Sequence, residues 1–123
     1  MRLPRREFES LAETAFNEIP PELRGLIAGV DISVQPLPGP EAEEEEGSED
    51  LLGLYVGPER AEMLSSNAPL EQARVLLYQR NLEEMCGTRA ELAQEIRLTL
   101  RHELAHHFGF SDEELEERWP EGA

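Results

Sequence analysis

Residues 88–112, TRAELAQEIRLTLRHELAHHFGFSD, decide how the rest of the chain is read. Thr88 and Glu91 have the S/T-x-x-E spacing of a capping box, in which the two side chains satisfy orphan N–H groups at a helix start. No glycine or proline follows until Gly109, so the stretch predicts one helix of about twenty residues closed by a left-handed glycine cap. Projected at 100° per residue, Leu92, Ala93, Ile96, Leu100, Leu104 and Phe108 form one apolar stripe roughly 160° wide. Ser111 and Glu114 repeat the capping spacing and open a short terminal helix through about Arg118.

All three histidines lie in the last turns of that helix, at His102, His106 and His107. His102 and His106, four apart, sit on one face one turn from each other, where two imidazoles can share one ion. Zinc suits neutral imidazole nitrogen and, in catalytic sites, takes three protein ligands and keeps a fourth position for water. Glu103 is placed to act on that water as a general base, at the stripe's edge where partial desolvation raises a carboxyl pKa. His107 projects into the middle of the stripe and is expected as a packed, hydrogen-bonded core residue. Gly109 lets the backbone reverse, so Asp112 can return to the open side of the ion as third ligand. Its place in a helix's first turn has a purely structural explanation too, and Glu113 or Glu116 are the alternatives. At this glutamate-rich composition the pattern H-E-x-x-H alone arises by chance in roughly 1% of shuffled sequences. Adding Gly109 and Asp112 lowers that by roughly another 500-fold, so chance is a poor account of the extended motif.

Outward from the motif, the 123 residues suit a single domain, 1–123, with one modest core. From about Pro4 to Glu18 apolar residues recur every three or four positions, as in an amphipathic helix, and Pro20-Pro21 end it. Pro21–Arg24 fits a further helical turn. Three strands are expected, from Val30 to Val34, from Leu51 to Gly57 and from Ala73 to Gln79, with a turn-like region around Ser65, Ser66, Asn67 and Pro69 between the last two. Asn81 to Met85 adds one helical turn before Gly87. The order of elements is an α+β pattern. Residues 38–50 are rich in proline and then in carboxylates, and are expected as a mobile, solvated acidic loop that buries nothing.

Eleven basic residues, all arginine, against 27 acidic ones leave a formal charge of −16, which repels phosphate backbones and argues against nucleic acid as partner. No apolar run reaches the roughly 18 residues that span a bilayer, and the basic start has no apolar stretch behind it to act as a signal peptide. With a lone Cys86, no internal disulfide forms, and the cytoplasm is the expected address. The oligomeric state is not written in the sequence.

The run from His102 to Asp112 resembles the H-E-x-x-H-H-x-G-x-x-D signature of the small bacterial zincin-like, or minimal metalloprotease-like, domain family. The resemblance extends to the opening helix, the Gly53-Leu54-Tyr55 and Leu77-Tyr78-Gln79-Arg80 strands and the long helix. It implies a minimal zincin-like fold, a small mixed sheet of about three strands packed on the N-terminal helix and the long H-E-x-x-H helix, and a zinc-dependent peptidase acting through metal-activated water with Glu103 as base. Larger zincins with this spacing place a methionine turn beneath the metal, whereas Met1, Met63 and Met85 all precede the motif here, so the lower half of the usual cleft is expected to be missing. Substrate selection then falls to an exposed strand edge, Leu51 to Gly57, to which an extended peptide or protein segment adds by main-chain hydrogen bonds. Tyr55 and Tyr78 are oxyanion-stabilising candidates, with packed strand tyrosines as the plainer reading. Two other functions compete: a catalytically silent, metal-stapled binding module, and a metal-dependent endoribonuclease. The second shares an H-x3-H-x5-H zinc spacing, but Glu103, Asp112 and the acidic charge all depart from it.

Overall fold

The structure is a computed structural model describing residues 1–27, 29–57 and 73–120. The turn expected around Ser65, Ser66, Asn67 and Pro69 lies outside the described residues. Helix α1, Arg5–Asn17, starts behind Pro4 and buries Phe8, Ala12 and Ala15. Pro20 then ends the run, and Pro21, whose missing N–H costs nothing at a helix start, opens α2, Pro21–Arg24. Strands β1, Asp31–Gln35, β2, Gly53–Val56, and β3, Arg74–Tyr78, form one mixed sheet in the order β1-β3-β2. β1 runs parallel to β3 with Val34 opposite Leu77, and β2 runs antiparallel with Gly53 opposite Leu77 and Tyr55 opposite Val75. Helix α3, Gln79–Glu84, follows β3 directly and begins two residues before the expected turn.

Helix α4, Arg89–Phe108, is the long helix read from the sequence. Thr88 caps it by accepting from the Glu91 N–H at 3.1 Å, but the Glu91 carboxylate accepts from the Thr88 hydroxyl instead of reaching back to the backbone, so only half of the box forms. Gly109 closes the helix at φ 70°, the left-handed conformation in which a side chain is strained. Helix α5, Asp112–Arg118, carries the complete reciprocal box between Ser111 and Glu114. The main core lies where α1 and α4 cover one sheet face: Phe8, Val75, Leu77, Leu92, Ile96, Leu100 and Leu104 are all essentially inaccessible.

Strand alternation turns Leu76 and Tyr78 to the other face, yet both are buried as well. For Tyr78 the acidic loop supplies the cover, which corrects the expectation that the loop buries nothing. Within the 3-10 turn Pro40–Ala42, the Glu41 carboxylate accepts from the Tyr78 hydroxyl at 2.9 Å, and its neighbour Ala42 is fully buried. At the far end of the loop the Asn81 amide donates to the Glu49 and Leu51 carbonyls at 2.9 and 2.8 Å. Only the stretch Glu43–Gly47 between these ties is exposed throughout.

Candidate active site

The site begins with a missing side chain. A Cβ on Gly53 would stand 2.7 Å from the Thr99 methyl and 2.9 Å from the Leu76 carbonyl oxygen, so glycine there is what lets α4 lie directly against β2. One turn further along α4, the Glu103 Oε1 accepts from the Tyr55 backbone N–H at 2.8 Å. Another turn on, the Tyr55 hydroxyl and His107 Nδ1 are hydrogen-bonded at 3.0 Å. Thr99, Glu103 and His107 thus form a buried polar row, spaced by four, facing β2 from within an otherwise apolar helix face.

The Leu52 carbonyl accepts from the Tyr78 N–H at 3.0 Å. Antiparallel alternation therefore turns the backbone groups of Gly53 and Tyr55 away from β3, toward the outer side of β2, the last strand of the sheet among the described residues. Glu103 occupies one of those outward donors. The residue is only 8% exposed. Burial pushes its pKa above the ordinary carboxylate value and wins over the Tyr55 N–H and the two neighbouring imidazoles, which pull it down, while Glu45 adds a smaller upward push.

One helical step round from this row, His102 and His106 present their rings to solvent with centroids 5.4 Å apart. The His102 Nε2 lies 3.9 Å from Glu103 Oε2, the oxygen not held by Tyr55. Two adjacent imidazoles beside a buried carboxylate are a donor set that fits zinc, which needs one further protein ligand. No third His, Cys, Asp or Glu joins the pair in a metal-holding group among the described residues. Asp112 stands exposed at the start of α5, just past the Gly109 reversal, with Glu113 beside it. Glu116 points elsewhere, paired with Arg101 at 2.7 Å.

His107 is buried as the stripe required, at 2% exposure. Tyr55 flanks the histidines: with Gly57, His106, Gly109 and Phe110 it lines a hollow at one end of the β2/α4 groove. A second hollow, lined by Leu52, Gly53, Leu98, Thr99 and His102 among others, opens at the opposite end. Tyr78 is on the far face of the sheet with its hydroxyl committed to Glu41, and burial together with that bond pushes its phenol pKa well up. Sequence reading missed Gly53 and Thr99. The signal was available in Thr99, Glu103 and His107, three polar residues at i, i+4 and i+8 along a helix face meant for the core.

The sequence of residues 27–120 matches the family model of the zincin-like metallopeptidases. The chain belongs to that family. Among solved structures, a conserved hypothetical protein from Thermo thermophilus is similar at 25% identity, with a TM-score of 0.56 over 86% of this chain and 94% of that one. No curated protein matches the sequence. A zincin-like protein of this size accounts for the observed α+β architecture of one mixed sheet, an N-terminal helix and a long helix bearing the histidines. No helix among the described residues is long and apolar enough to cross a membrane.

Proposed function

We propose that the protein is a zinc-dependent peptidase of the H-E-x-x-H-x-x-G-x-x-D type, with His102, His106 and Asp112 as ligands and Glu103 as general base. The observation that carries it is the Glu103 carboxylate, buried against β2 with Oε1 held by Tyr55 and Oε2 lying 3.9 Å from His102 Nε2. Zinc bound there supplies a Lewis acid that lowers the pKa of water to about 7. Glu103 takes a proton at Oε2 as water attacks the peptide carbonyl and returns it to the leaving amine. The Tyr55 N–H fixes the carboxylate so that this oxygen stays directed at the groove.

The substrate is an extended peptide or protein segment laid along β2, the outer strand of the sheet among the described residues. A charge of −16 weighs against nucleic acid, and a cytoplasmic address belongs to the same proposal. The test is zinc-loaded protein incubated with a mixed peptide library and read by mass spectrometry. Cleavage is expected, reduced by about 100-fold or more in Glu103→Ala. Equal cleavage in the variant contradicts the role of Glu103, and no cleavage by either contradicts the peptidase.

The competing reading is a metal-stapled binding module without turnover. Chelation separates the two. A structural metal makes folding collapse on its removal, whereas a catalytic one leaves most of the stability in place.

A further inference from the structure

We propose that the hollow at the Gly53 end of the β2/α4 groove selects a basic substrate side chain, with Asp50 and Glu95 as the specificity-determining residues; this rests on the peptidase reading. The hollow adjoins the site directly, since Glu103 and His102 form part of its wall. Leu51, Leu52 and Leu98 supply apolar surface, while Asp50 and Glu95 bring carboxylates and, among the described residues, no arginine lines it. An arginine or lysine side chain matches that combination, because its aliphatic stem packs on apolar surface while its charged head stays near water and anions. A glutamate placed there would meet like charge, and a leucine would leave both carboxylates without a partner.

The wall is also fixed in place. Asn81 holds the Glu49 and Leu51 carbonyls, and the Leu52 carbonyl is bonded into the sheet through Tyr78, so Asp50 is carried on a segment tied on both sides. Such ties spare the ordering cost that a free loop would impose on binding. Among the described residues, the hollow at the other end of the groove is lined by Tyr55, His106, Phe110 and small residues, with no carboxylate. Among the described residues the two ends of the groove therefore differ, with carboxylates lining one side of Glu103 and aromatic rings the other.

The experiment titrates fluorescein-labelled octapeptides, each carrying Arg, Leu or Glu at one varied position, into zinc-loaded Glu103→Gln protein at physiological salt and follows anisotropy. At one position Arg is expected to bind about tenfold tighter than Leu or Glu. Adding Asp50→Asn and Glu95→Gln should cut that preference to under about threefold. Neutralising two distant exposed acids, Glu13→Gln with Glu22→Gln, should leave it intact. Binding without preference, or preference lost equally in the distant-acid control, overturns the proposal alone. No binding of any peptide overturns the peptidase reading and the proposal with it.

Discussion

Gly53 is the residue on which the site's geometry turns, because the Leu76 carbonyl that a Cβ would strike is backbone and cannot swing away. Gly53→Ala is expected to lower stability by about 1–3 kcal/mol in urea denaturation, as β2 is pushed off α4 and the Tyr55–Glu103 bond lengthens. Glu83 gives a second, independent check. It is buried, and burial pushes its pKa up, but bonds from Gln79 at 2.9 Å, the Leu3 N–H at 2.8 Å and Arg80 at 3.0 Å outweigh that and hold it below the ordinary value. The unfolded chain therefore binds a proton at Glu83 more readily than the folded one, and the contribution is complete above about pH 4.5 and lost as the pH falls through the lower folded value. Compared with wild type, Glu83→Gln should be less stable at pH 7, with the gap closing in acid. A gap that does not change with pH would show that the charge of Glu83 is irrelevant to folding.

At the scale of elements, α4 and α5 are legible in the sequence because their ends are written in local chemistry. Thr88, Gly109 and Ser111 each sit at a boundary the structure confirms. Gly109→Ala places a Cβ in a left-handed turn and is expected to cost about 1–2 kcal/mol, read as a shift in the urea midpoint. Because that turn also sets where α5 returns, zinc affinity should fall in the same variant if Asp112 is a ligand. The strands are legible from their alternation and their order is not, since β1 pairs with β3 across 38 intervening residues of sequence that include β2. The acidic loop misleads for a related reason: Glu41 finds Tyr78 through a contact 37 residues away, which no local pattern announces. His102 and His106 fall together because helical spacing alone dictates it. Tyr55 reaches Glu103 and His107 through tertiary packing, and only its presence on a strand is visible beforehand.

Across the whole molecule the largest influence is charge. With a formal net charge of −16, self-repulsion opposes the compact state and is screened by salt. The melting temperature should rise between low and physiological ionic strength, and a flat response would show that the carboxylates are already compensated. Zinc at 100 times its dissociation constant should stabilise the fold by about 2.7 kcal/mol, since it binds the folded protein in preference to the unfolded one. That gain should vanish in His102→Ala and His106→Ala. The peptidase reading stands most directly on a zinc-soaked crystal measured at the zinc absorption edge. It expects one anomalous peak about 2.0–2.1 Å from a ring nitrogen of both His102 and His106, with an aspartate or glutamate oxygen completing the protein ligands. Rings turned apart with no zinc between them would contradict it.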